Sequence, residues 1–176
     1  SRIVGVDEKR GRSGALVFVT AQHEISGESG LCITEEHDIV YRENPAPDAP
    51  APAPPAAAVD EAFSREIVPD PVLLFRYSAL TFNGHRIHYD RSYVTAVEGY
   101  PGLVVHGPLI ATLLLDLLRR ERPQAQVRRF EFKAVSPLFD IDRFEVCGRP
   151  DGEHACALWA RNHQGALAMQ GRAETD

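Results

Sequence analysis

The chain has 176 residues, of which 44% are hydrophobic, so it can bury one substantial core or two small ones that share an interface. Its net charge of −6 argues against a nucleic-acid-binding protein, which normally presents a basic face to phosphates. The longest apolar segment, residues 109–118, is too short to cross a bilayer, so no membrane partner is expected. Cys32, Cys147 and Cys156 show no CxxC spacing, which argues against a disulfide scaffold or zinc site and favours a reducing, cytoplasmic location.

Residues 1–43 are predicted to form β-strands without a helix. Two β-rich segments lie within residues 15–25 and 31–41, and the glycines and serines at residues 26–30 predict a hairpin loop between them. The sequence begins at Ser1 and enters strand-like sequence almost at once. We therefore expect a further N-terminal portion to precede it.

Residues 44–60 are rich in proline and alanine. Such a composition favours extended polyproline structure and does not predict a packed core. We therefore expect a mobile, exposed linker that separates residues 1–43 from a domain at residues 61–176.

One strong helical pattern stands out in this second domain. Leucines recur every four residues in Pro108–Arg120 and form one broad apolar stripe, while Gly107 and Pro123 mark the two ends. Before it, residues 72–77 are predicted to form a short apolar strand, and residues 92–97 one or two helical turns.

Four antiparallel strands are predicted after this helix, at residues 126–135, 143–148, 154–162 and 166–171. Asp151-Gly152 and Gln164-Gly165 predict hairpin turns between them. A helix that is apolar over so wide a face needs a sheet wrapped around it. The pattern therefore predicts an α+β hot-dog fold, an antiparallel sheet around a long central helix.

The segment of residues 77–90, YSALTFNGHRIHYD, concentrates side chains that can orient water or move protons. Downstream, His106-Gly107 stands at the start of the predicted central helix. Amides at a helix N-terminus are unpaired and favour negative charge, so they could stabilise the oxygen of a polarised thioester carbonyl. A histidine within reach could then transfer a proton to or from water or carbon.

These two motifs resemble those of the MaoC-like enoyl-CoA hydratase and 3-hydroxyacyl-thioester dehydratase family. The family's hydratase motif, roughly Ser-Gly-Asp-x-Asn-Pro-Leu-His, is matched by Thr81–His88, and its His-Gly pair by His106-Gly107. Residues 78–90 are similar to the branch that includes type 2 hydroxyacyl-thioester dehydratases and mesaconyl-C4-CoA hydratases. The resemblance covers residues 72–173, and it implies that residues 1–43 are the last strands of a first, degenerate hot dog in a double hot dog.

The resemblance implies catalytic roles for three residues. His88 matches the family's histidine and would carry the proton, while the amide of Gly107 would polarise the thioester carbonyl. Asn83 stands where the general family has a catalytic aspartate. An amide can orient water but cannot exchange a proton, so His88 would have to carry most of the proton transfer.

Substrate-binding roles are predicted for His85, Arg86 and His106. Arg86 could meet an anionic acyl tail or a CoA phosphate, and His106 could instead orient its own loop. A metal site is not expected, because the HxxH pair of His85 and His88 lacks a third ligand at suitable spacing.

The predicted function is the reversible hydration of a 2-enoyl-CoA thioester, with a mesaconyl-CoA-like substrate as one option. The acyl-CoA is the predicted small-molecule partner, no other cofactor is needed, and a homodimer or higher homo-oligomer is expected. Two alternatives stay open. An acyl-CoA thioesterase usually places a carboxylate near the central helix, and residues 106–112 carry none. A non-catalytic acyl-CoA-binding or interface module is kept open by Asn83.

Overall fold

The computed structural model describes residues 1–11, 14–43 and 53–176. The chain divides into two compact units, Ser1–Ala51 and Pro52–Asp176. The mobility predicted for the Pro/Ala tract falls, for residues 44–52, outside the described residues. Within the described part of the chain, no helix is both long enough and apolar enough to cross a membrane.

The first unit is an antiparallel sheet in the order β1-β2-β3. Its strands are β1 (Arg2–Gly11), β2 (Gly14–Gly27) and β3 (Gly30–Arg42). A tight turn at residues 28–29 joins β2 to β3, and Gly30 has φ +109°, a backbone conformation that favours glycine. The strands predicted within residues 1–43 are confirmed, and the described residues of this unit contain no helix. The sequence did not separately identify β1.

The second unit combines three helices with a five-stranded antiparallel sheet. The helices are α1 (Pro71–Leu80), α2 (Arg91–Ala96) and α3 (Gly107–Glu121), with a 3₁₀ turn at Arg86–His88 between α1 and α2. The strands are β4 (Phe63–Ile67), β5 (Val127–Ala134), β6 (Phe144–Pro150), β7 (Ala155–Asn162) and β8 (Leu167–Thr175). The strand order is β4-β6-β7-β8-β5.

The core of this unit lies between α3 and one face of the sheet. The buried residues of α3 are Leu109, Ile110, Ala111, Leu114, Leu117 and Leu118. They share one cluster with buried sheet residues Phe144, Val146, Cys156, Leu158, Ala160, Met169 and Ala173. Burial of each large apolar side chain contributes about 1.5–3 kcal/mol, so this face dominates the stability of the unit. The predicted helix and hot-dog architecture are confirmed.

Residues 72–77 form part of a helix, and the predicted strand at this place is wrong. Asp70 caps α1, since its side chain accepts a hydrogen bond of 2.9 Å from the amide of Leu73. Pro71 occupies the first turn, where its missing N–H costs nothing. A short apolar run fits either a strand or a helix, and here the capping residues decide.

The end of the Pro/Ala tract is hydrogen-bonded to the sheet of the second unit, although Ala57 alone of residues 53–60 is buried. The amide of Ala57 donates to the carbonyl of Gly165 at 2.9 Å, and the amide of Leu167 donates to the carbonyl of Pro55 at 2.8 Å. Ala57 is buried in a small cluster with Trp159. Composition alone did not reveal these backbone hydrogen bonds.

The loop that follows α1 contains a strained position. Phe82 has φ +52°, and no other non-glycine residue in the described part of the chain has a positive φ. Its side chain is 98% exposed, so no burial within the described structure offsets the backbone strain.

Replacing Phe82 by glycine is expected to raise the free energy of unfolding by up to about 1 kcal/mol. A left-handed backbone destabilises a residue with a Cβ by about 1–2 kcal/mol, so glycine relieves this strain. Glycine also has more conformational entropy in the unfolded chain, which lowers the gain by about 0.5–1 kcal/mol. Urea denaturation of Phe82→Gly measures the difference.

Leu80→Gly is the matched control, because Leu80 is 83% exposed and is the last residue of α1. It is expected to lower stability by about 1 kcal/mol, since glycine is a poor helix former. Equal losses in the two variants would show that Phe82 is not strained.

Candidate active site

His88 is held by a backbone carbonyl at the end of the 3₁₀ turn. Its Nδ1 lies 2.7 Å from the carbonyl oxygen of Val104, and the amide of Val104 donates in turn to the carbonyl of Ile87 at 3.0 Å. Because a carbonyl can only accept, Nδ1 carries the proton and Nε2 has the lone pair. Within the described residues Nε2 has no hydrogen-bond partner, so neutral His88 is arranged as a base.

His106 lies directly behind His88. The two imidazole rings stack with centroids 3.7 Å apart and planes 17° apart. On its other side, Nε2 of His106 lies 2.8 Å from the hydroxyl oxygen of Ser78, and the ring of Tyr77 meets it edge-on at 4.9 Å. His106 is 1% exposed and Ser78 is 6% exposed, so both groups are buried.

Burial makes both histidines hard to protonate. It lowers the pKa of His88 below the ordinary histidine value, and His85 adds to this shift while the Val104 carbonyl opposes it. Burial, with a smaller effect of the neighbouring His88, lowers the pKa of His106 to about 4. Both side chains are therefore neutral at neutral pH, and His88 can accept a proton there.

Asn83 lies in the loop between α1 and the 3₁₀ turn, and its side chain shapes that loop. Its side-chain Oδ1 accepts a hydrogen bond of 3.0 Å from the backbone amide of His85, and its backbone amide donates to the carbonyl of Ser78 at 2.9 Å. The side-chain NH₂ of Asn83 is left as the donor that can bind water or a substrate oxygen. The geometry fits the predicted role in orienting water.

Gly107 begins α3 immediately after the buried ring of His106. His106 is the N-cap residue but makes no side-chain capping bond, and Pro108 has no N–H to offer. A Cβ added to Gly107 would meet no atom within 4 Å, so packing does not require glycine at this position. A helix N-terminus without a side-chain cap fits the predicted oxyanion donor.

Two open clefts flank these residues. One of about 370 Å³ contains Asn83 with Phe75, Phe82 and Tyr89 among its lining residues. The other, of about 240 Å³, is lined by Gly107 and by residues of α3, β8 and the segment that follows β5. Two larger clefts of about 580 and 530 Å³ lie over the strands, and none of the predicted catalytic residues lines them. Asn83 lines one of the two smaller clefts and Gly107 the other, whereas His88 lines neither, so these two clefts are the candidate substrate sites.

The predicted substrate-binding residues differ in how well they could contact a ligand. His85 is exposed, and its ring meets that of His88 edge-on at 5.7 Å. The guanidinium of Arg86 donates to Asp90 at 2.7 and 3.1 Å and lies 4.1 Å above the ring of Tyr93. These contacts favour a local structural role for Arg86. The burial of His106 favours support of His88 over direct substrate contact.

Sequence reasoning assigned no role to Ser78 or to the carbonyl of Val104. Reading the segment before Ser78 as a strand concealed that Leu74 and Ser78 share one helical face, which is buried. The signal that could have revealed this was the cap, Asp70-Pro71. A backbone acceptor such as the Val104 carbonyl leaves no signature in side-chain types.

Metal ligands are not clustered in the described structure. Across residues 1–11, 14–43 and 53–176, no three side chains of histidine, cysteine, aspartate or glutamate are arranged to hold a metal ion. Cys147 and Cys156 are buried among core residues, and burial raises the pKa of the Cys147 thiol to about 12.

Comparison with known proteins identifies relatives of this chain. The family model described as hydroxyacyl-thioester dehydratase type 2 matches residues 1–140. The chain is 50% identical over 175 residues to a protein of Chloroflexus aurantiacus named mesaconyl-C(4)-CoA hydratase, covering 98% of this chain and 61% of that protein. It is 36% identical over 119 residues to the mitochondrial hydroxyacyl-thioester dehydratase type 2 of Schizosaccharomyces pombe, covering 66% of this chain and 39% of that protein.

A solved structure extends the comparison to the fold. The structure titled MaoC-like dehydratase from Phytophthora capsici matches with a TM-score of 0.72 at 15% identity, covering 99% of this chain and 63% of that one. At this identity the match supports the fold alone. The chain spans less than two thirds of the length of the two sequence relatives, so their activities extend to it only as a proposal.

The buried histidines predict that the protein loses stability as the pH falls from about 6.5 toward 4. A histidine whose pKa is lowered by folding binds fewer protons in the native state than in the unfolded state. The contribution to stability is fully present above the unfolded pKa of about 6.5. It is lost as the pH falls toward the folded pKa, because protonation of the unfolded chain shifts the folding equilibrium toward the unfolded state. From its pKa of about 4, His106 is expected to account for roughly 3 kcal/mol of this loss.

Urea denaturation at a series of pH values measures the slope. His106→Gln is expected to flatten it, because glutamine does not titrate. His154→Gln is the control, since that side chain is 67% exposed and its removal leaves the buried pair intact. An unchanged slope in His106→Gln would refute the pKa shift.

Proposed function

The chain belongs to the hydroxyacyl-thioester dehydratase type 2 family, and we propose on that premise that it catalyses the reversible hydration of a 2-enoyl-CoA thioester. The observation that carries the proposal is the state of His88. The Val104 carbonyl fixes the proton on Nδ1, and Nε2 is left as a base beside the loop of Asn83. Hydration requires such a base, a positioned water and a group that stabilises negative charge on the thioester oxygen.

In the hydration direction, Asn83 holds the water through its side-chain NH₂. Nε2 of His88 takes one proton from this water, and the oxygen adds to the β-carbon of the enoyl group. The electron pair of the double bond moves toward the thioester, whose oxygen receives a hydrogen bond from the Gly107 amide. The proton then passes from His88 to the α-carbon, and the 3-hydroxyacyl thioester leaves.

The substrate class follows from the relatives. The protein of Chloroflexus aurantiacus that is 50% identical to this chain is named for mesaconyl-C(4)-CoA. We therefore propose a mesaconyl-CoA-like enoyl thioester as the first substrate to test. Since Arg86 is bound to Asp90, it is available to the second carboxylate of such a substrate only if that ion pair opens.

The thioesterase alternative is disfavoured by the structure. The first acidic residue of α3 is Asp116, and its carboxylate is bound by Arg65, Arg119 and Arg120 at 2.7 Å each. A carboxylate so occupied is a poor nucleophile or base. The non-catalytic alternative rests on Asn83 alone. A homo-oligomer and a cytoplasmic location remain predictions.

Replacing His88 by alanine is expected to abolish hydration, because it removes the proton carrier. Asn83→Ala is expected to lose much of the rate through misplaced water. Asn83→Asp keeps an oxygen for the His85 amide, so it is expected to fold, to retain measurable activity and to change the pH–rate profile by adding a titrating group near His88.

The measurement follows the enoyl-CoA absorbance of crotonyl-CoA and mesaconyl-CoA, with free thiol release followed in parallel. His163→Gln is the control variant, because it changes an exposed histidine elsewhere. Full activity in His88→Ala would contradict the mechanism. Thiol release without hydration would indicate a thioesterase, and neither reaction in the parent would indicate a binding module.

Replacing Gly107 by alanine or by proline tests the helix N-terminus. The new methyl group meets no protein atom within 4 Å, so the variant is expected to fold as stably as the parent. Because alanine keeps the backbone N–H, Gly107→Ala is the control; Gly107→Pro removes this N–H and is expected to lower kcat/KM sharply, since loss of one oxyanion donor costs about 2.7–4 kcal/mol of barrier. Thermal denaturation and hydration kinetics measure the two effects. Parent-like kinetics in Gly107→Pro would place the oxyanion donor elsewhere.

A further inference from the structure

We propose that Ser78 is a positioning residue that holds His106 as a fixed, neutral support for the ring of His88. The inference rests on the proposed function, because it concerns the histidine that carries the proton. It adds a residue on α1 that contacts neither the water nor the thioester in the proposed mechanism.

The ring of His106 is held on one side by stacking and at one nitrogen by a single hydrogen bond. The ring of His106 has two faces, and the one toward the site is stacked on His88 at 3.7 Å. Its only hydrogen bond within the described residues is the one to the Ser78 hydroxyl at 2.8 Å. Tyr77 contacts the ring edge-on but does not bind either nitrogen. The orientation of His106, and with it the surface on which His88 lies, therefore depends on the Ser78 hydroxyl.

The hydrogen-bond partners of His106 favour a neutral ring. Nδ1 of His106 is buried without a hydrogen-bond partner among the described residues. A protonated ring would bury an N–H at Nδ1 that has no acceptor, and it would place a positive charge against His88. A neutral ring with its proton on Nε2 avoids both costs: Nε2–H donates to the hydroxyl oxygen of Ser78, and only an uncharged lone pair at Nδ1 is left without a partner. The site therefore keeps His106 neutral and leaves the titration to His88.

The neighbouring side chains do not favour a charge on His106 over a charge on His88. Among the described residues, two titratable side chains contact the rings of the pair: Tyr77 from α1 meets the ring of His106, and His85 from the loop before the 3₁₀ turn meets the ring of His88. The next charged groups along the chain, Arg86 and Asp90, neutralise each other in an ion pair of 2.7 Å. No carboxylate within the described residues binds either histidine of the stack.

The residue type fits the role. A serine within a helix often returns its hydroxyl to the carbonyl four residues earlier. Ser78 instead binds His106 across 28 residues of sequence, and it lies one helical turn after Leu74 on the buried face of α1. Its small side chain leaves room for the ring, and its hydroxyl is the one polar group of α1 that is buried there.

The test compares Ser78→Thr with Ser78→Val. The two side chains have nearly the same shape and the same β-branching, so they perturb packing and helix stability alike. They differ in the hydroxyl. If the hydroxyl positions His106, kcat for enoyl-CoA hydration is expected to fall in Ser78→Val by roughly 10- to 100-fold relative to Ser78→Thr, with KM changed little.

A second readout does not depend on turnover. Nitrogen NMR of the imidazole rings reports which nitrogen of His106 carries the proton. The parent and Ser78→Thr are expected to show a single neutral tautomer of His106. Ser78→Val is expected to show both tautomers in exchange, because neither nitrogen then has a partner that distinguishes them.

The outcomes separate this proposal from the function on which it rests. Equal kcat in the threonine and valine variants, or a single unchanged His106 tautomer in Ser78→Val, would overturn the positioning role. Equal losses in both variants with an unchanged tautomer would show that volume matters and the hydroxyl does not. If the parent hydrates no enoyl-CoA, the proposed function fails, while the tautomer still decides whether Ser78 holds His106.

Discussion

The burial of the apolar face of α3 against the sheet determines where every other part of the second unit can lie. Six residues of this helix belong to the core, and the sheet residues in the same core come chiefly from the three central strands, β6, β7 and β8. Since the helix cannot rotate without exposing leucines, its first residues are fixed in space. Gly107 and the ring of His106 thereby become rigid parts of the site, and the loop after α1 is built against them.

Within this frame, electrostatics allows only one of the two stacked histidines to carry charge. Two unit charges about 4 Å apart repel by about 4 kcal/mol at an effective dielectric constant of 20. The structure resolves the competition through different hydrogen bonds. His88 has a carbonyl on Nδ1, which accommodates a second proton on Nε2, whereas His106 has a buried Nδ1 with no acceptor among the described residues. The two histidines thus differ in whether Nδ1 has an acceptor, so His88 can carry a second proton and His106 stays neutral.

The sequence predicted what depends on periodicity and missed what depends on single contacts. The wide stripe of α3 and the four strands after it were identified, because burying one face of a long element leaves a repeated pattern. The helix α1 was mistaken for a strand, since its apolar run is short and its cap, Asp70, was overlooked. Asn83, His88 and Gly107 were predicted to be catalytic from family motifs, and these roles stay predictions. No role was predicted for Ser78, because its partner His106 lies 28 positions away and only the folded chain brings them together.

The outermost strand of the second unit, β5, has one edge that no strand of its sheet pairs with. Unpaired backbone groups along such an edge can template the addition of further strands and lead to aggregation. Four of its eight residues carry charge, namely Arg128, Arg129, Glu131 and Lys133, and all four are exposed. A second copy approaching in antiparallel fashion would have to accommodate these charges in register. The composition of β5 therefore protects the unit against indiscriminate growth of its sheet while leaving the edge open to a partner with complementary charges.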